Sequence, residues 1–176
     1  ENLNKILGFI TGSLAQRLDA PDHSLNCSKS CTDCIQSWEN RFSHSALDWR
    51  LGLDLAELAQ GGSLSMKRWG PRSERLISNY IQGWFADQLG TDKYPFWEDL
   101  DNGFYAMYSS RSSPRKAVII GHPLWISNPD LMNDKQAELF EIPLSEGVPE
   151  NMITFSSAYE LQNNPVRLLQ KVSFFD

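Results

Sequence analysis

The amino-acid sequence predicts an α+β chain in two parts. A small helical segment covers residues 1–62, and an α/β domain of order helix–strand–strand–strand–helix–strand covers residues 71–176. Three observations predict it. Apolar residues in the first 60 positions recur at three- and four-residue spacing, the period of a helix. From about residue 94 the pattern changes to short apolar runs bounded by Gly, Pro, Asn and Asp, the punctuation of strands. Between the two lies a polar, glycine-containing stretch, Gly61 to Gly70, which is the expected domain boundary.

Each element follows from its own residues. Leu3, Ile6, Leu7, Ile10, Leu14 and Leu18 form one stripe, so residues 3–18 read as an amphipathic helix that ends at Ala20-Pro21-Asp22. Residues 23–44 lack periodicity and read as a knuckle-like loop with a helical turn from Ile35 to Trp38. A second helix is expected from Ser45 to Gln60, with Leu47, Leu51, Leu55 and Leu58 on its apolar face and Gly61-Gly62 as the stop. Pro71 suits the first turn of a third helix, carried on by Leu76, Ile77, Tyr80, Ile81, Trp84, Phe85 and Leu89. Strands are expected at Tyr94–Trp97, Phe104–Tyr108 and Lys116–Gly121, with Asp101-Asn102-Gly103 as a turn. The unbroken apolar run of the third is that of a strand covered on both faces. A helix over Pro129–Phe140, a strand over Met152–Ser156 and an apolar tail from Tyr159 to Phe175 complete the chain.

The net charge of −6 excludes a uniformly basic nucleic-acid binder. Residues 61–116, with eight basic against six acidic side chains, are the only third that meets phosphate on charge grounds. Lys67, Arg68, Arg72 and Arg75 form one basic cluster, and Arg111, Arg115 and Lys116 a second; these seven are the candidate nucleic-acid contacts. No apolar run is long enough to span a bilayer and no signal peptide opens the chain, so a cytoplasmic protein with no membrane contact is expected. The chain does not begin with Met, and a fragment or a processed product is expected.

Cys27, Cys31 and Cys34 are the only cysteines, all within eight residues. An odd count without a secretory signal disfavours disulfides, whereas the Cys31-x2-Cys34 turn aims two thiolates at one ion with Cys27 close by. Zinc takes four tetrahedral N/S ligands in a structural site, so a fourth is needed. His44, after the loop and before the second helix, is the candidate; His23, four residues before Cys27, and a Cys outside the chain are its rivals. With four protein ligands no position stays open for water, and such a Zn²⁺ is structural rather than catalytic.

The run from Cys27 through Cys31, Cys34, Ile35, Trp38, Asn40 and His44 to Leu47-Asp48-Trp49-Arg50 resembles a C-terminal zinc-binding motif of bacterial DEAD/DEAH-box helicase-like proteins. These are the DrmB-type components of DISARM and related phage-defence systems. Ile35 stands where Leu is usual, and the match covers residues 1–60. The resemblance implies an accessory piece of an antiviral, DNA-acting machine whose partners are helicase motor domains in the same or a partner chain. Asp48 and Arg50 are expected to pair internally and lock the knuckle. The chain has no Gly-x4-Gly-Lys-Ser/Thr loop and no Asp-Glu-x-His box, so it has no ATPase site of its own.

The element order of the second part is also that of PD-(D/E)xK endonucleases, which need an Asp on one strand and a Glu/Asp-x-Lys on the next to hold Mg²⁺. Ala117–Gly121 has no acid and no internal Lys. The expectation is a degenerate restriction-endonuclease-like core or an unrelated α/β fold, with no catalytic residue in the chain. A protein-interaction module without nucleic-acid contact is the alternative reading, and a Mg²⁺-dependent nuclease the least favoured. His122, next to Pro123, reads as a hydrogen-bonded structural residue, and Ser109-Ser110 and Ser112-Ser113 lack a His/Asp set.

Overall fold

An apolar stripe interrupted by a Thr and a Gly shapes the first helical stretch. The computed structural model describes residues 2–78, 96–109, 114–126 and 128–171, and the chain divides into two compact units, Glu1–Arg68 and Trp69–Asp176. In the first unit α1 (Asn2–Phe9) passes through a π-helical turn, Ile10–Leu14, into α2 (Ala15–Asp19). The Thr11 hydroxyl donates to Leu7 O at 2.9 Å, the back-bonding that loosens a helical ladder. Only the later part of the stripe reaches a core: Ala15 and Leu18 are buried, whereas Leu3, Ile6 and Phe9 are exposed. Pro21 pushes Ala20 into an extended conformation and opens the short α3 (Pro21–Ser24).

After the loop, a 3₁₀ turn at Arg41–Ala46 leads to α4 (Trp49–Ala59). This helix starts four residues later than expected because Asp48 caps it, its carboxylate accepting from Arg50 N at 3.0 Å. Its buried face also differs from the expected one. Trp49, Leu53 and Ala56, at i, i+4 and i+7, turn inward, while Leu55 and Leu58 are exposed. The helix carries leucines on more than one face, and Trp49 decides which face packs. Ala15, Leu18, Cys27, Trp49 and Leu53 form the core of the unit, with Ile10, Leu14, Cys31, Cys34 and Ile35 against them.

The second unit is a four-stranded sheet with helices. The helix α5 (Gly70–Leu76) begins with Pro71 in its first turn; the expected continuation from Tyr80 to Leu89 lies outside the described residues. The strands β1 (Phe96–Asp101), β2 (Phe104–Tyr108), β3 (Ala117–Gly121) and β4 (Ile153–Ser157) lie in the order β1-β2-β3-β4. The first three form an antiparallel meander, and β4 is parallel to β3, joined through α6 (Asp134–Ser145). All five residues of β3 are buried, which is what its unbroken apolar run requires. In the β1–β2 turn Asn102 (φ 49°) and Gly103 (φ 84°) are left-handed. Gly103 there meets Gly70 so closely that a Cβ on it would lie 2.7 Å from Gly70 Cα.

Further boundaries differ from expectation: β1 runs on to Asp101, past the expected end at Trp97, and β4 spans Ile153–Ser157 rather than Met152–Ser156. The helix after β3 starts at Asp134 rather than Pro129, because Asn133 and Gln136 form a capping box, and it runs beyond Phe140 through Pro143. Within the tail lie α7 (Ala158–Asn163) and α8 (Pro165–Lys171). The chain is thus α+β, with the Cys/His segment in its helical part and a mixed sheet in the second.

Candidate metal centre

Pro21 starts a helical turn that continues one bond beyond α3: Cys27 N donates to His23 O at 2.8 Å. This i, i+4 spacing puts His23 and Cys27 on one side of the turn. The chain then reverses through Cys31-x2-Cys34, where Cys34 N and Gln36 N both donate to Cys31 O, at 3.1 and 3.0 Å. Four donor atoms result, His23 Nε2 and the Sγ atoms of Cys27, Cys31 and Cys34, all within 4.8 Å of one another.

The distances discriminate between chemistries. Cys27 and Cys34 sulfurs are 3.9 Å apart, Cys31 and Cys34 sulfurs 3.6 Å, and Cys31 Sγ lies 3.6 Å from His23 Nε2. A disulfide would need about 2.05 Å, and the three thiols are free. A tetrahedral zinc-sized ion, with Zn–S about 2.3 Å and Zn–N about 2.05 Å, has S···S edges of about 3.8 Å and S···N edges of about 3.6 Å. The group therefore has the size and donor chemistry of a four-coordinate metal site.

The imidazole is set for the task. His23 Nδ1 lies 2.9 Å from Leu18 O, and a carbonyl only accepts, so Nδ1 carries the proton and Nε2 turns its lone pair toward the sulfurs. This is the orientation that outer partners give metal-ligating histidines. The Trp49 ring packs edge-on against His23 at 5.1 Å. Burial, then the hydrogen bond to Cys31 and the neighbouring thiols, push the Cys27 thiol up to about 12. Burial also raises Cys34, against hydrogen bonds from the Cys31 and Ile35 backbone that favour its thiolate. The Cys27 and Cys34 thiols thus resist ionising unless a cation joins them.

His44 is placed elsewhere. Its Nε2 lies 3.0 Å from Ser37 O and 2.8 Å from Asn40 Oδ1. Asn40 Nδ2 itself donates to Ile35 O at 2.7 Å, so Asn40 Oδ1 is an acceptor, and His44 Nε2 is a proton donor with no lone pair to offer. The structure brings His23, not His44, to the thiols. The signal for it was the four-residue step from His23 to Cys27 after a helix-starting Pro.

Asp48, Trp49 and Arg50 clamp the loop from behind. Arg50, buried, donates to Ser28 O at 2.9 Å and Cys27 O at 3.3 Å, with Asp48 Oδ1 at 3.4 Å. Trp49 N donates to Lys29 O at 2.9 Å. Carbonyls that have no partner in secondary structure are thereby satisfied, which fixes the entry to the cysteines.

The seven basic candidates have separate fates. Arg68 is nearly buried and forks onto Asp19, Asp54 and Glu57 at 2.5 to 3.1 Å, so its charge is consumed inside the first unit and is not presented to phosphate. Lys67 is exposed, 4.0 Å from Asp19. In the second unit Arg72 donates to Gln162 Oε1 at 2.9 Å and Arg75 to Pro71 O at 3.4 Å. Arg115 lies 3.5 Å from Glu146, over the Tyr108 ring. The Lys116 backbone N donates to Ser109 Oγ, which closes the mouth of the β2–β3 hairpin. Arg111, Ser110, Ser112 and Ser113 lie outside the described residues.

His122 ends β3 buried, its Nδ1 accepting from Leu124 N at 3.1 Å. The following turn folds Trp125 back over Gly121, where a Cβ would strike the indole at 2.4 Å, and stacks it on Phe104 at 5.1 Å. No acid lies on β2, β3 or β4, and among the described residues the His23–Cys34 set is the one cluster with metal-ligand geometry. No helix among the described residues is long and apolar enough to cross a membrane. In comparisons with known proteins the chain matches no family model, no curated protein and no solved structure.

Proposed function

We propose that the chain is a non-catalytic, zinc-stabilised accessory module of a helicase-like, DNA-acting protein of bacterial phage defence. It works in the cytoplasm, against nucleic acid or the motor domains. The observation that carries the zinc part is the match of three donor separations, 3.9, 3.6 and 3.6 Å, to the edges of a zinc tetrahedron. Three sulfurs and one imidazole favour zinc over magnesium or calcium, which take oxygen ligands. The ion ties helix α3 to the Cys31–Cys34 turn, whose cysteines and Ile35 pack against the core of the unit. The helicase-associated part draws on the residues of the motif. Asn40, His44, Asp48, Trp49 and Arg50 all hold the loop rather than a substrate, as expected of a module that serves another domain.

The test is metal content. Chain purified under reducing conditions is expected to hold about one zinc. His23→Ala lowers occupancy, and His44→Ala leaves it near one. Full occupancy in His23→Ala, or loss in His44→Ala alone, overturns the ligand assignment; a chain that refolds without metal overturns the module.

A specific observation favours a second reading, a protein-interaction module without nucleic-acid contact. Leu3, Ile6 and Phe9 line the exposed side of α1, as they would where another domain covers them. Absence of any DNA binding at low salt would select this reading.

A further inference from the structure

Among the described residues, the two most exposed large apolar side chains are Phe42, at 86%, and Trp38, at 75%. They are not scattered. The Arg41 guanidinium lies 4.2 Å from the Trp38 ring and 4.3 Å from the Phe42 ring. Arg41 Nη1 also donates to Trp38 O at 3.1 Å, which leaves the fork with further N–H groups to offer outward. The three side chains sit on the metal-bearing loop. His44 and Asn40 tie them to Ser37 and Ile35, directly after Cys34.

We infer that Trp38, Arg41 and Phe42 form a platform for single-stranded nucleic acid, with bases on the two rings and a phosphate on Arg41. The inference deepens the DNA-acting reading proposed above and rests on it. Two exposed rings, each with the Arg41 guanidinium over one face, leave their other faces beside a cation, which matches a nucleotide, a planar ring joined to an anion. Bases inside a duplex do not offer their faces, so the strand is single. The surroundings argue against a protein partner. Ser37, Glu39, Asn40, Ser43 and Ser45, interleaved with them in sequence, are all polar, unlike the apolar centre of a protein interface. Glu39, the nearby anion, hydrogen-bonds its own backbone and Ser37, which holds its carboxyl below the usual range. Residues 1–60 carry eight acids against five bases, so the platform works by stacking with a shallow dependence on salt.

The experiment is fluorescence anisotropy of the zinc-loaded full chain with labelled oligothymidylate of about ten nucleotides, and with an abasic strand of equal length. Trp38→Ala and Phe42→Ala are each expected to weaken binding roughly five- to 150-fold, and the abasic strand to bind as poorly as the variants. Arg41→Ala is expected to lower the log–log salt slope by about 0.7. Because both rings are exposed, truncation leaves folding intact, and metal content measured on the same samples verifies the loop. Equal binding by wild type and the ring variants overturns the platform. So does equal binding of the abasic strand, or none at the lowest salt. Variants that instead change self-association assign the face to a protein, which also overturns it. A chain without zinc that still binds through Trp38 refutes the metal centre and leaves the platform standing.

Discussion

Arg68 commits its charge to three carboxylates of the first unit, Asp19, Asp54 and Glu57. Burial alone would lower its affinity for the proton, but hydrogen bonds to Glu57, to Asp19 and to Asp54 outweigh that and hold the guanidinium firmly charged. Arg68→Met removes the fork and leaves three carboxylates facing one another. Asp54 is as buried as Arg68, and breaking one such pair costs about 3–5 kcal/mol. Asp19 and Glu57 are partly solvated, with side-chain exposures of 22% and 33%, so each adds only about 0–1 kcal/mol. With a urea slope of about 1–2 kcal/mol/M, the unfolding midpoint of zinc-loaded protein falls by at least about 1.5 M. Adding Asp54→Asn and Asp19→Asn to the Met variant recovers most of the loss, because the buried charge and one of its two neighbours are gone and the Glu57 that remains is partly solvated. A midpoint within about 0.3 M of wild type for Arg68→Met would show that water already carries these carboxylates, and the reasoning would fail.

Gly103→Ala combines a left-handed backbone with a 2.7 Å approach to Gly70 Cα, and should cost roughly 1–3 kcal/mol in thermal or urea unfolding. An unaffected midpoint would mean that the turn and α5 do not meet. Glu160 has its carboxyl held low; burial opposes this, but hydrogen bonds from Lys171 and Ser156 and the nearby charges win. Its contribution to stability is therefore complete above the ordinary Glu range, about 4.3, and disappears as pH falls through the lowered value, so Glu160→Gln should differ from wild type near neutrality and converge with it in acid. Chelation of the metal should open the loop to trypsin at Lys29 and Arg41 while the sheet of the second unit stays resistant; equal protection with and without chelator would deny the metal a structural role.

What the sequence reveals of the fold depends on how much a pattern leaves undecided. In β3 every side chain is buried, so the apolar run Ala117–Gly121 admits one reading, and the Asn102-Gly103 turn locates β2 against β1. Helix starts are less visible because one polar side chain sets them. Asp48 delays α4 past the serines and alanine that looked helical, and Asn133 delays α6 past Pro129. The buried side of α4 is not legible at all from spacing. Leu51, Leu55 and Leu58 form as good a stripe as Trp49, Leu53 and Ala56, and only the cysteine loop, which needs Trp49 and Arg50 beneath it, selects the second.

The candidate site divides along a similar line. Three cysteines in eight residues suit a metal site by their clustering, because one ion can take all three sulfurs as ligands. The fourth ligand is marked only by the four-residue step from His23 to Cys27, and His44, ten residues after Cys34, competes with it on sequence alone. What separates them is the fate of one nitrogen: Leu18 O takes the Nδ1 proton of His23 and frees Nε2, while Ser37 O and Asn40 Oδ1 take the Nε2 proton of His44. Basic clusters mislead for a related reason. A run of charge says nothing of the carboxylates that folding brings from 11, 14 and 49 residues away, and Arg68 finds all three. The converse holds at Trp38 and Phe42, whose aromatic character marks them as core until the fold leaves them outside with Arg41 between them. The cysteine half of the loop packs against the core of the first unit, whereas Trp38 and Phe42 lie beyond it, exposed, so aromatic character alone does not tell a core ring from a surface one.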